Sequence, residues 1–242
     1  MDLMTTTPDA SVFLTRKIRW VMGVDLGQSS DPTAIAVIEH RSGVLDWRSE
    51  QDRHCNIINT DTKPQKKADR FDVLFLERLP LGTPYPVIID HIQMLLARPP
   101  LCADPAQNRR PADLIVDDSG VGRAVSDLMI ERGLDPWRIS ITAGSEVTYT
   151  GRKRFNAAKT ELVATVDALM HDGRLKFAAA LTEAGNLKDE LKDFRRKITD
   201  AGRSTYAARV GSHDDLILAI AIAAWWANRP VSRAGMGSYA WG

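Results

Sequence analysis

Three short acidic stretches of this 242-residue chain carry the residues best suited to chemistry. Their carboxylates belong to Asp25, to the pair Asp117 and Asp118, and to the pair Asp214 and Asp215. Carboxylates gathered in one pocket repel one another, and divalent cations relieve that repulsion because hard oxygen ligands suit Mg²⁺ or Mn²⁺. Two such ions can activate a water and stabilise the leaving oxygen of a phosphodiester. If the fold gathers these acids, we predict a metal-dependent enzyme that acts on phosphodiesters.

Each stretch also has a purely structural interpretation. Asp25 and Asp117 could each begin a turn by accepting hydrogen bonds from nearby backbone N–H groups. The glycines after the mid-chain pair could cradle a phosphate at a helix N-terminus. Ser212 and Asp215 have the spacing of a capping box, and His213 between them is either a capping residue or a group beside the metals. These alternatives stay open for each stretch taken singly, and the combination favours a shared site.

Apolar periodicity indicates the elements that must position the acids. Strands are predicted over 18–25, 33–39, 73–78, 114–116 and 137–142, and helices over 85–97, 122–132, 157–171, 182–197 and 214–228. A basic loop is predicted over 148–155, a cap at Asn156, and a small strand over 205–210. The order of elements predicts an α/β fold with a mixed five-stranded sheet, three antiparallel strands and then parallel strands, flanked by helices.

This topology predicts how the acids meet. The first strand and the strand before Asp117 can be neighbours in the sheet, which would place Asp25 and Asp117 at one edge. A late, apolar helix docked on the sheet would bring Asp214 or Asp215 alongside, and the sequence does not decide between these two. One folded domain is expected over 17–229, between a flexible leader, 1–16, and a flexible tail, 230–242.

Charge and composition restrict the class of protein. The net charge of +1 provides no overall attraction for nucleic acid, so DNA contacts must come from local clusters. The candidates are Arg152, Lys153, Arg154 and Lys159. The two cysteines lack metal-ligand spacing, which favours a reducing, cytoplasmic compartment without a zinc site. The apolar run 216–226 is too short to span a membrane, which needs about 20 residues.

The element order resembles the ribonuclease H-like superfamily, and four local strings resemble the nuclease domain of large terminase subunits from tailed phages. These strings are VDLG at 24–27, DPTA at 31–34, VDDSGVG at 116–122 and GSHDDLILA at 211–219. The resemblance implies a nuclease domain over 17–229 that cuts concatemeric viral DNA during genome packaging. It also implies two Mg²⁺ or Mn²⁺ ions. The implied catalytic metal ligands are Asp25, Asp117 and Asp215, with Asp214 as the alternate third ligand and Asp118 and His213 as accessory residues.

One feature of large terminases is missing from the sequence. The string Gly-x-x-x-x-Gly-Lys-Ser/Thr of a packaging motor does not occur. The resemblance therefore implies a separate packaging ATPase, together with a small terminase, a portal, double-stranded DNA, the host cytoplasm and no membrane. Three other functions remain open: a Holliday-junction resolvase of the same fold, a non-catalytic packaging component, and a nucleotide-binding protein of the actin and sugar-kinase type.

Overall fold

The structure is a computed structural model that describes residues 12–27, 31–46, 66–143, 146–198 and 214–229. Its strands are β1 (Val12–Asp25), β2 (Ala34–Asp46), β3 (Lys66–Arg78), β4 (Asp113–Asp117), β5 (Trp137–Thr142), β6 (Thr148–Gly151), β7 (Arg154–Ala158) and β8 (Leu175–Phe177). Its helices are α1 (Tyr85–Leu96), α2 (Gly122–Glu131), α3 (Lys159–His171), α4 (Ala184–Ile198) and α5 (Asp215–Ala227), with a 3₁₀ turn at Pro105–Gln107.

All eight strands form one sheet in the order β6-β7-β5-β4-β1-β2-β3-β8. Strands β1, β2 and β3 are antiparallel neighbours, as predicted, and β4 joins the other side of β1 in parallel. Strands β5 and β7 continue in that same direction. The expected mixed sheet of antiparallel and parallel strands flanked by helices is confirmed, but in the described part of the chain it has eight strands where five were predicted.

The region after β5 explains most of that difference. Residues 148–155, predicted to be a basic loop, instead form the hairpin of β6 and β7. Its turn places Arg152 and Lys153 at φ 48° and 58°, a left-handed geometry that two-residue hairpin turns require and that usually selects Asn-Gly. The predicted cap at Asn156 is wrong, because Asn156 pairs within the sheet and α3 begins at Lys159.

Other boundaries differ less. Strand β1 begins at Val12, inside the predicted leader 1–16, because its outer half pairs with the extended β2. The predicted strand 205–210, the capping candidate Ser212 and the predicted tail 230–242 lie outside the described residues. In the described part of the chain, no helix is long and apolar enough to cross a membrane.

Helix α5 forms the centre of the core on one face of the sheet, where all 13 of its residues are buried. It approaches β1 closely at Gly23. A Cβ atom at this position would lie 2.4 Å from the carbonyl oxygen of Ala219 and 2.8 Å from the Cβ of Ala223. The opposite face of the sheet is covered by α1 and α2. The glycine therefore lets α5 lie directly on the strand that ends at Asp25.

Candidate active site

The sheet places Asp25 and Asp117 side by side. Val24 of β1 pairs with Val116 of β4 in parallel register, and the two aspartates are the next residues on these neighbouring strands. The carboxyl ends of parallel strands share one edge of a sheet, as the sequence analysis predicted. Asp25 is buried, with 7% of its surface exposed.

Helix α5 brings the remaining acids to this edge. Asp215 is its first residue and lies one turn before Ala219, the residue that contacts Gly23. Asp215 is 5% exposed. The pKa of Asp25 is raised well above its usual range, first by burial and then by the charges of Asp117, Asp215 and Asp214. The structure therefore gathers acids from three distant parts of the chain around one buried carboxyl.

The turn after β4 fixes the position of Asp117. Its Oδ1 accepts a hydrogen bond of 2.8 Å from the backbone N–H of Ser119. A Cβ atom on Gly122 would lie 2.3 Å from the Asp117 carbonyl oxygen, so only glycine allows α2 to begin there. Burial raises the pKa of Asp117, while the hydrogen bonds from Ser119 oppose that rise. Asp117 thus both forms the turn and faces the acid cluster, and the two interpretations of this residue are compatible.

Two basic side chains partly neutralise the acids. Lys159 Nζ lies 2.5 Å from Asp214 Oδ2. Arg78 Nε lies 3.8 Å from Asp215 Oδ2, and the same guanidinium donates a hydrogen bond to the Glu190 carboxylate. Lys159 was predicted to contact DNA, and the structure places it at the acids themselves.

Sequence reasoning missed Arg78 and Glu190 as site residues. A signal for Arg78 exists in the strand register, since Asp25 pairs with Ala34 and Ala34 pairs with Arg78 in one row across the sheet. Glu190 has no comparable signal, because it looks like any polar position of an amphipathic helix. It is nevertheless only 7% exposed, and burial raises its pKa to about 7.

The donor chemistry of the cluster fits a hard divalent cation. Carboxylate oxygens are the ligands that Mg²⁺ and Mn²⁺ prefer, and mutual repulsion at Asp25 is the condition that such an ion relieves. Among the described residues, no three His, Cys, Asp or Glu side chains as they stand form a group that could hold an ion. Lys159 lies on Asp214 and Arg78 lies near Asp215, so a shared ion would compete with these two basic side chains for the carboxylates.

The structure describes one of the two accessory candidates, Asp118. Asp118 is 1% exposed, and its Oδ1 accepts a 2.6 Å hydrogen bond from Ser126. Its Oδ2 lies 2.6 Å from Arg154 Nε. Both oxygens therefore have partners within the fold, which gives Asp118 and Arg154 a structural role that the sequence analysis did not assign. His213 lies outside the described residues.

The predicted DNA-contact residues do not form one cluster. Arg152 and Lys153 lie at the turn before β7, whereas Lys159 follows its carboxyl end, about 20 Å from Lys153 at roughly 3.3 Å per residue. Arg152 is exposed. Lys153 pairs with Asp135 and lies 5.3 Å from the centre of the Trp137 ring. The hairpin turn is thus separated from Lys159 by the whole length of β7.

Comparison with known proteins decides the family. The model of the family described as terminase RNaseH-like domain matches residues 90–224, more than half of the chain. The chain belongs to the terminase RNaseH-like family. The crystal structure of the large terminase nuclease from thermophilic phage G20c is similar, with 17% sequence identity and a TM-score of 0.46, covering 85% of this chain and 81% of that one. No curated protein matches the chain.

The family match contains only part of the acid cluster of this terminase RNaseH-like domain. It includes Asp117, Lys159, the N-cap residue Asp214 and Asp215 of α5, but it begins after β3. Asp25 and Arg78 lie before the matched segment. Their association with the site therefore depends on the sheet register and on the electrostatic coupling of Asp25 to the other acids.

Proposed function

We propose that this terminase RNaseH-like domain is a divalent-metal-dependent DNA endonuclease that hydrolyses phosphodiester bonds. The observation that carries the proposal is the convergence of Asp117, Asp214 and Asp215 on the buried carboxyl of Asp25. Asp25, Asp117 and Asp215 would hold Mg²⁺ or Mn²⁺, and Asp214 is the alternate for the third position. Two such ions, when bound, supply an activated water and stabilise the leaving oxygen.

The side chains around the acids have supporting roles in this proposal. Burial of Asp25 and Asp215 limits access of water, so that charges there interact more strongly than on the surface. Lys159 neutralises Asp214 in the absence of substrate. We expect Lys159 to exchange that partner for a DNA phosphate when the acids bind metal, because a lysine serves as a mobile point charge for phosphate.

Plasmid cleavage tests the proposed reaction. With Mn²⁺ or Mg²⁺ the protein should nick, linearise and then degrade plasmid DNA, and a chelator should stop it. Asp117→Asn and Asp215→Asn should each cut about 10³-fold more slowly, since a lost ligand removes several kcal/mol of transition-state stabilisation. The matched control is Asp189→Asn, an exposed acid paired with Lys192 on α4, which should cut at the wild-type rate. Equal cleavage by Asp117→Asn and by the wild type would refute the proposal.

The biological setting is part of the same proposal. The family to which the chain belongs favours a role in cutting concatemeric double-stranded DNA during genome packaging. As a partner we propose a packaging ATPase, which would drive DNA translocation. A small terminase and a portal would complete the assembly in the host cytoplasm, and no membrane would be involved.

The salt dependence of DNA binding tests whether the positively charged hairpin turn contacts DNA phosphates. We propose that Arg152 and Lys153 contact DNA phosphates at the end of β7 that lies away from the acid cluster, whereas Arg154 supports the fold through its pair with Asp118. Arg152→Ala combined with Lys153→Ala should weaken binding on all sequences alike. The slope of log K against log salt should fall by about 1.8, since each neutralised phosphate contributes about 0.9.

The hairpin experiment needs a background without cleavage and a control for net charge. Binding is best measured without added metal, on several unrelated duplexes of equal length. Arg110→Ala removes one exposed charge from the loop before the amino end of β4 and should leave affinity within twofold. A loss confined to one DNA sequence, or an unchanged salt slope, would exclude phosphate contact by this turn.

A further inference from the structure

Glu190 connects three elements at the acid cluster. From α4, its Oε2 accepts a 3.1 Å hydrogen bond from the backbone N–H of Ile217, in the first turn of α5. Its Oε1 accepts a hydrogen bond from Arg78, at the end of β3. The Glu190 side chain is 6% exposed and the Arg78 side chain 20%. One buried carboxylate thus binds both a helix N-terminus and a strand-end guanidinium.

The hydrogen bond to Ile217 supplies a missing cap. The N-cap residue of α5, Asp214, makes no side-chain capping hydrogen bond. The first N–H groups of a helix have no partner within the helix, so a group from elsewhere must accept from them. Glu190 does so from a different helix, and it thereby fixes the end of α5 that carries Asp214 and Asp215.

The contact with Arg78 has a separate consequence. Arg78 Nε is 3.8 Å from Asp215 Oδ2, so the guanidinium lies within ion-pair reach of both Glu190 and a proposed metal ligand. An arginine fully paired with Asp215 would compete with a divalent cation for the same oxygens. Glu190 offers Arg78 a closer partner and so reduces that competition.

We propose that Glu190 is a positioning residue that keeps the Arg78 guanidinium from pairing more closely with Asp215 and anchors the first turn of α5, so that a divalent cation can compete with Arg78 for the Asp215 carboxylate. This inference rests on the proposed function, since it assigns a task to Glu190 only if Asp215 binds metal. It makes Arg78 an inhibitory cation for metal binding and Glu190 the group that restrains it.

A purely structural role for the pair predicts a different pattern. If Glu190 and Arg78 only stabilise the fold, removing either should weaken metal binding, and removing both should weaken it at least as much. Under the proposal, removal of Arg78 leaves the affinity for metal unchanged or increases it. Removal of Arg78 should also compensate for the loss of Glu190. The two explanations therefore differ in whether removal of Arg78 lowers the affinity for metal.

The test is Mn²⁺ binding by calorimetry on the full chain, without DNA. A pH of about 8 is chosen because it lies above the pKa of Glu190, which burial raises to about 7, so that the Glu190 carboxylate is ionised. Glu190→Gln keeps an oxygen that can accept from Ile217 but loses the charge that holds Arg78. We expect about tenfold weaker Mn²⁺ binding, the lower range for loss of an outer partner of a metal ligand. Arg78→Gln should bind Mn²⁺ at least as tightly as the wild type, and the double variant should return to within about threefold of it.

A control variant and a folding check accompany the Mn²⁺ titrations. Asp189→Asn removes an exposed acid from the same helix and should not change the affinity. Weaker binding by Arg78→Gln, or a double variant weaker than Glu190→Gln, would overturn the proposal. If Glu190→Gln does not fold, as judged by circular dichroism, the sign of the Arg78→Gln effect still decides. Unchanged affinity in Glu190→Gln, with binding that still depends on Asp25, would overturn this inference alone. Equal binding by Asp25→Asn and the wild type would overturn the proposed function with it.

Discussion

Asp25→Asn is expected to abolish DNA cleavage and, in metal-free buffer, to raise the temperature at which the protein unfolds. The carboxylate is buried and is surrounded by Asp117, Asp214 and Asp215, so its ionised form is unfavourable in the folded state. Asparagine has nearly the same shape without the charge. We expect the melting temperature to rise by several degrees, since a change of about 1 kcal/mol in the free energy of unfolding shifts the melting temperature of a domain of this size by roughly 2–4 °C.

The stabilising effect of this substitution should depend on pH with a definite sign. The folded-state pKa of Asp25 lies above its ordinary value of 3.8, so the folded protein binds the proton more tightly than the unfolded chain. Ionisation of Asp25 therefore destabilises the fold once the pH exceeds about 4. The stability difference between Asp25→Asn and the wild type should be absent at lower pH, grow as the pH rises, and level off above the folded-state pKa.

Added metal should reverse the order of stability. A ligand that binds only the folded state stabilises it, by about 2.7 kcal/mol at 100 times its dissociation constant. Mn²⁺ should therefore raise the melting temperature of the wild type and leave that of Asp25→Asn unchanged. Asp90→Asn, an exposed acid paired with Arg132, serves as the control and should follow the wild type under both conditions. A metal-free Asp25→Asn protein that melts below the wild type would contradict this account of the acid cluster.

Gly23→Ala is expected to destabilise the protein and to weaken metal binding at the same time. The new Cβ would meet the Ala219 carbonyl oxygen at 2.4 Å and the Ala223 backbone nitrogen at 2.9 Å. Neither atom can move by changing a rotamer, so α5 must shift away from β1. Such overpacking costs about 1–3 kcal/mol, a large part of the total stability of a domain. Because Asp215 begins α5, the same shift moves it relative to Asp25.

Denaturant unfolding and Mn²⁺ titration measure the two effects of Gly23→Ala. The matched control is Gly185→Ala in α4, where an added Cβ would meet no atom within 4 Å. This control should stabilise the helix by up to about 1 kcal/mol and leave metal binding unchanged. A Gly23→Ala protein with wild-type stability would show that α5 does not depend on this close approach to β1.

The sequence predicted those placements of acidic residues that the topology of the sheet determines. Asp25 and Asp117 end apolar strands, and the rule that carboxyl ends of parallel neighbours share an edge brings them together. The late apolar helix was recognisable from its composition, and its burial places Asp214 and Asp215 near that edge. Local sequence patterns were sufficient wherever the position of an acidic residue depends on a single strand or helix.

The sequence analysis did not predict features that lack a recognisable local pattern. The hairpin of β6 and β7 was missed because its turn uses Arg152 and Lys153 at left-handed φ, without the usual Asn-Gly. Asp118 was expected to be an accessory residue of the site, and only the positions of Ser126 and Arg154 reveal its structural role. Buried ion pairs leave no periodic pattern in the sequence, and the residues that form them were therefore not predicted.

Under the proposed function, the complete burial of α5 would link enzymatic activity to the completion of folding. This helix is the last described element of the chain, and it supplies both the interior of one sheet face and the final carboxylates of the cluster. A chain still emerging from the ribosome, or one whose α5 has been released by proteolysis, would lack ligand and core together. Under the proposed function, immature or damaged copies are therefore harmless to the DNA of the cell that synthesises them.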